Sequence, residues 1–281
     1  MLQLWKNAPI GLLCAVLLSG PVWAQTKPQP APARATANAK PLSARDAGAL
    51  LRMAAREQML AERITRTYTM IGQKVLPDRA KRQLDSDIRS FETQLKTLGQ
   101  APLDAEARDN HELLEQLWGE FRAITAKPPS IELARQLAEQ NEELAWIAEK
   151  GANLLQKQIR LPRSEAILLA GRAATLSQRM AKLYFFRSWG LRAEVIVKDL
   201  REAEIEYLAT MRRLATLPQN TEATRRELAL ADQQWLFFSG ALAKVASGED
   251  RLVQMDNLAK ASDNLLQVLE ELGLMYETAA L

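Results

Sequence analysis

From Ser43 onward the apolar residues return with the period of a helix. Leu84, Ile88, Phe91, Leu95 and Leu98 recur at three and four, and Leu113, Leu114, Leu117, Phe121 and Ile124 form a second series. Each series lays one apolar stripe on an amphipathic helix. Good helix formers (Ala, Leu, Glu, Gln, Arg) dominate, and alternating runs of Val, Ile and Thr are missing. The stripes stop at a few breaks: Gly72 to Pro77, Gly99 to Pro102, Lys127 to Ser130, Leu161 to Ser164, Leu217 to Thr221 and Ser247 to Asp250. Asp104, Ser130 and Thr221 are placed to cap the helices that follow, and Glu132 adds an acidic first turn. The breaks predict about eight helices, four on each side of Pro162. Short connections favour antiparallel neighbours. The expected fold is all-α, as two tandem up-and-down four-helix bundles over residues 43–160 and 163–281.

The two sets of helices share a pattern. Arg56, Leu60, Arg63 and Tyr68 reappear as Arg172, Leu176, Arg179 and Tyr184, each 116 residues on. Trp118 returns as Trp235 at 117 and Leu144 as Leu265 at 121. Any two Leu-, Ala- and Arg-rich helices slide into partial register. Four identities at one offset favour an internal duplication over that coincidence.

The N-terminus does not belong to this pattern. Met1–Ala24 carries one cation, Lys6, then an apolar run from Ile10 to Leu18, and ends Val22-Trp23-Ala24. This reads as a cleavable secretory signal, 1–24, which sends the chain to the periplasm. The alternative is an uncleaved inner-membrane anchor, against which the run is short, since a spanning helix needs ~20 apolar residues. Cys14 follows bulky Leu12-Leu13, unlike a lipobox, and cleavage removes this sole cysteine. Residues 25–42 are rich in Pro, Ala and Lys, have no large apolar residue before Leu42 and read as a disordered spacer. The charge balance is near neutral, with 37 Lys+Arg against 34 Asp+Glu. The charges are interspersed, which gives no basis for nucleic-acid binding.

The stretch Ala170–Tyr184 reads AGRAATLSQRMAKLY, with a degenerate copy at Ala54–Tyr68, AAREQMLAERITRTY. It resembles the first-helix signature of PilJ/NarX-type periplasmic sensor domains, which runs like A-G-R-Q-R-M-L-S-Q-R-M-A-K. Ala170-Gly171-Arg172 and Leu176-Ser177-Gln178-Arg179-Met180-Ala181-Lys182 match it. In the first copy Arg56, Met59-Leu60 and Arg63 match, and Ala55 replaces the glycine. The resemblance implies four-helix bundles that sense a small ligand outside the inner membrane. In the family's nitrate sensors the anion lies between the first helices of two subunits, held by an arginine just before a methionine. That position is Gln58 here in the first copy and Ala174 in the second, which argues against nitrate by that geometry.

Candidate chemistry centres on the arginines. Arg56 and Arg63 are seven apart, about 20° around a helix, and Arg52 and Arg66 share their flank. Arg172 and Arg179 repeat the spacing beside Lys182. Guanidinium groups bind oxyanions in bidentate fashion. The candidate anion site is therefore Arg56, Arg63, Arg172, Arg179 and Lys182. The competing reading is that these cations pair with Asp and Glu of neighbouring helices. If duplication makes one chain mimic the family's homodimer, the first helices of the two halves should face each other.

Tyr68, Tyr184, Phe185, Phe186, Trp189, Trp118, Trp146 and Trp235 are expected in the core. His111, the only histidine, is expected at the surface beside a helix start. One histidine and one cysteine leave too few ligands for zinc or haem, so no metal or other cofactor is expected. No Gly-x-Ser-x-Gly elbow or phosphate-binding glycine loop is present, so an enzyme is not expected. The sequence leaves two functions: a sensory module that binds a small anion and signals through a membrane sensor or pilus-associated protein, or a helical adaptor for a protein partner with no small ligand.

Overall fold

The computed structural model describes residues 42–191, 193–244 and 250–278. The expected signal, nearly all of the spacer and most of the Ser247 to Asp250 break lie outside them. Among the described residues there are eight helices and no strand: α1 (Ala44–Gly72), α2 (Pro77–Gly99), α3 (Ala105–Thr125), α4 (Ile131–Ile159), α5 (Ser164–Ser188), α6 (Ala193–Ala215), α7 (Glu222–Ala243) and α8 (Asp250–Thr278). The fold is all-α, as the periodicity predicts.

Local chemistry sets the boundaries. The side chains of Asp104, Ser130 and Thr221 accept from the backbone N–H of Ala107, Leu133 and Thr224, at 2.9, 3.2 and 3.2 Å. Ser43 does the same for Asp46. Each satisfies a donor that the first helical turn leaves unpaired. Between α1 and α2 the chain turns through two left-handed residues, Lys74 and Leu76, before Pro77 starts α2. The indole of Trp189, at the end of α5, lies where a side chain on Gly72 would project. Only glycine admits that approach.

In the first half α1 packs on α2 and α4, and α3 packs on α4. In the second, α5 packs on α6 and α8, and α7 packs on α8. The most extensive contact joins the halves: α1 lies against α5, and the described residues from Leu42 onward form one compact unit. The two motif helices thus form the centre of the molecule.

Corresponding positions make corresponding contacts. Phe91 stacks on Trp118 at 4.0 Å between ring centroids, and Tyr207 stacks on Trp235 at 4.4 Å. Phe121 and Phe238 extend the two stacks at 5.7 and 5.9 Å. The hydroxyls of Tyr68 and Tyr184 donate to the carbonyls of Pro128 and Lys244, both at 3.4 Å. Tyr68, Tyr184, Phe185, Phe186 and Trp118 are buried as expected, and Trp189 and Trp235 are partly buried.

Three expectations of burial fail. Trp146 is 62% exposed, because it lies on the solvent side of α4 between buried Ala145 and Ile147. Leu113 is 39% exposed, since Leu114 takes the inward position on α3. His111 is buried, because its ring packs over Gly99, where an added Cβ would sit 2.7 Å from Nε2.

Candidate functional site

The crossing of α1 and α5 is built from small residues. A Cβ on Gly171 would come 2.7 Å from the Cβ of Ala55, the position that corresponds to it in the first half. Ala170, Ala174 and Gly273 continue this close approach, and only about 30 Å³ of space remains among them. That is room for about two waters. Gln58 and Ala174, at the position where the family's arginine would stand, are both buried. Gln58 donates to Glu149 at 3.0 Å and accepts from Arg172 at 3.4 Å.

The five sequence-predicted residues fall into two groups on opposite flanks of this crossing. Arg56 and Arg63 face α8 and α2. Arg56 pairs with Glu270 of α8, while Arg63 reaches Asp87 of α2 at 3.4 Å and Asp263 of α8 at 3.8 Å. Arg172, Arg179 and Lys182 face α4. Arg172 pairs with Glu149 at 3.1 Å and with Glu206 of α6 at 2.6 Å. Arg179 reaches Glu142 at 2.8 Å and Glu62 at 3.3 Å, and Lys182 reaches Glu62 at 2.7 Å and Glu142 at 3.0 Å. Every one of the five is paired, and all five have an acid partner in the other half.

The partners correspond as well. Glu142 and Asp263 stand 121 residues apart, as do Glu149 and Glu270. This is the offset of Leu144 and Leu265, so the acids share the register of the apolar stripe. Sequence reading missed them. The signal was present in that repeated offset, but a carboxylate on an amphipathic helix is ordinarily a solvated one. Arg79, on α2, was missed too, and it binds Asp263 at 2.7 Å.

The α1 flank is the richer in cations. Arg66 is fully buried and donates to Ser262 and Asp263, both at 2.8 Å. Asp263 therefore meets three guanidinium groups, those of Arg63, Arg66 and Arg79. Burial alone would raise the Asp263 carboxyl, but Arg66 and Arg63 outweigh it and hold the group below its ordinary value. The nearby Asp87 goes the other way, since burial outweighs Arg63 and Gln83 and raises it. The Nε atoms of Arg63 and Arg66 are buried with no acceptor. Beside this cluster runs a groove of about 540 Å³, lined by Arg52, Arg56, Arg63 and Arg79 along with Asp263, Glu270 and Glu271.

The α5 flank is closed by comparison. Glu62 and Lys182 are both fully buried. For Glu142, burial would raise the carboxyl, but Lys182 and Arg179 hold it below its ordinary value. The Arg179 guanidinium is held more firmly protonated, chiefly by Glu62. Each cation here has carboxylate oxygens on more than one side.

A second groove, about 640 Å³, opens between α2 and α3 around His111, with Lys96 and Arg108 facing Glu92, Glu112 and Glu115. Its acids outnumber its cations by one, which does not favour an anion. Among the described residues no group of three or more His, Cys, Asp and Glu is placed to hold a metal ion. Nor is any described helix long and apolar enough to cross a membrane.

Fold and site define an all-α helical-bundle protein with a charge-paired central helix crossing. Compared with protein-family models, curated proteins and solved structures, the chain matches none.

Proposed function

We propose that this protein is a periplasmic ligand-binding and signalling module of the PilJ/NarX type, with two copies of the sensor helix in one chain. The copies form an intramolecular counterpart of the family's dimer, and the signal leaves through a separate partner. The observation that carries the reading is the arginine cluster on the α1 flank. Asp263 has two oxygens for three guanidinium groups, and two buried Nε donors beside it lack acceptors. Arg63 and Arg79, which share Asp263, also line the groove, and a small oxyanion there gives their outward N–H groups a further acceptor. Because Asp263 and Glu270 come from α8, an anion that competes for their arginines alters the grip of one half on the other. The reading assigns no catalysis and no cofactor.

A thermal-shift screen of nitrate, nitrite, sulfate and phosphate tests it. At a hundred times its dissociation constant, the bound anion stabilises by about 2.7 kcal/mol. For a domain of this size, that is a rise of about 5–10 °C. The double substitution Arg63→Ala, Arg79→Ala should abolish the rise. If no anion shifts the melting temperature, the reading fails. A shift that survives in this variant but disappears in Arg172→Ala, Arg179→Ala moves the site to the α5 flank. The adaptor reading is favoured by a different observation, the apolar residues exposed on the second half.

A further inference from the structure

The halves differ on their outer surfaces. Val197 and Ile205 on α6 and Leu236 on α7 are 50, 60 and 70% exposed. At the offsets of the repeated arginines and tryptophans, their first-half counterparts are Lys81, Arg89 and Gly119. Phe237 and Val253, also exposed, correspond to Glu120 and Glu132. The same helical scaffold thus stands with charged residues or glycine at these places, so the fold does not require them apolar. Exposed apolar residues that gather along one groove mark an interaction surface.

The patch borders a groove. Between α6 and α7 lies a concavity of about 610 Å³ with Met180, Leu200 and Leu242 among its apolar lining residues. Arg187, Lys198 and Arg201 also line it, against one acid of the lining, Glu204, with Lys198 reaching Glu202 at 3.6 Å on the exposed side of α6. Ile205 is one turn from Arg201, and Leu236 is one turn from Ser239 of the lining, so both extend the same face. A trough between two helices, apolar within and cationic along its edges, has the form that receives a third, amphipathic helix. A flat bilayer surface does not fill a trough, and the cationic edge selects the sign of the partner's charge.

We propose that the α6/α7 groove docks an amphipathic helix of a partner protein whose apolar stripe is flanked by acidic residues. The surface uses none of the arginines of the α1 flank, so its test is independent of anion binding.

The test uses the full chain and a labelled synthetic helix of about twenty residues, with leucines in one stripe and glutamates beside it. A second helix carries lysines in place of the glutamates. By fluorescence anisotropy the acidic helix should bind at least about tenfold more tightly than the basic one. Val197→Lys with Ile205→Arg restores the first-half surface and should weaken binding about tenfold, with the melting temperature unchanged. Lys198→Glu with Arg201→Glu should invert the preference between the two helices, a result that misfolding cannot produce. No binding at about 1 mM, equal binding of both helices, or indifference to these substitutions overturns the proposal. So does adsorption to anionic phospholipid vesicles in place of the peptide, or a dimer in sedimentation that Val197→Lys with Ile205→Arg dissolves.

Discussion

Lys182 and Glu62 show how much depends on single side chains here. Both are fully buried, 2.7 Å apart, on the two central helices. An ion pair out of water stabilises little relative to apolar residues of similar volume, but losing one partner strands the other. Lys182→Met should therefore cost about 3 kcal/mol in urea unfolding, the low end of the range for broken buried pairs, because Arg179 still reaches Glu62. Adding Glu62→Met should recover most of the loss. A single variant that costs no more than an exposed pair, under about 1 kcal/mol, would mean that the cation is not needed to hold Glu62. The sequence marks Lys182 only as the neighbour of two arginines. Its burial depends on Glu142 and Glu62 arriving from α4 and α1, and no local pattern encodes that meeting.

At the level of elements, the crossing of α1 and α5 is set by Ala55 and Gly171. Helix propensity alone says that Gly171→Ala should stabilise by about 1 kcal/mol. Packing says the opposite, since the new methyl would sit 2.7 Å from the Ala55 Cβ, and neither can move without its helix. Overpacking of this kind costs about 1–3 kcal/mol. Packing should win by up to about 2 kcal/mol, and the melting temperature should fall by up to about 8 °C. Ala55→Gly in the same chain should restore it. The sign of the shift in a thermal melt decides between propensity and packing. The caps at Asp104, Ser130 and Thr221 were legible because a cap involves residues three apart in the chain. The inward choice of Leu114 over Leu113, and the exposure of Trp146, were not, because they depend on where the neighbouring helices lie.

Across the whole molecule, the ion pairs between halves and the buried Glu57 of α1 make stability depend on pH from both sides. Asp263 and Glu142 have folded-state values below their ordinary 3.8 and 4.5. Their contribution is complete above those ordinary values and is lost as pH falls through the lower folded ones. Glu57 is buried with one carboxyl oxygen unpartnered, and burial raises it well above 4.5. Its effect has the opposite sign. The folded state holds the proton more tightly, so stability is complete below 4.5 and declines as pH rises toward the folded value. Thermal melts from about pH 3 to pH 9 should show a maximum between these limbs. Glu57→Gln should make the alkaline limb shallower, leaving the part that Asp87 contributes, and leave the acid limb in place. An alkaline limb unchanged in that variant would place its origin elsewhere.

The amino-acid sequence by itself determined the helices, their boundaries and the repeated arginine spacing, because apolar period, caps and breaks act within a few residues of chain. It also singled out the two helices that turn out to be central. Only the tertiary structure decided what those arginines do. It divided the five candidates between two flanks, gave each a carboxylate from the other half, and gathered three guanidinium groups on Asp263, of which Arg63 also reaches Asp87. Coulomb attraction acts through space, between α1 and α8 and between α5 and α4. A cation's identity is therefore local in the chain, while its partner is fixed by how the helices pack.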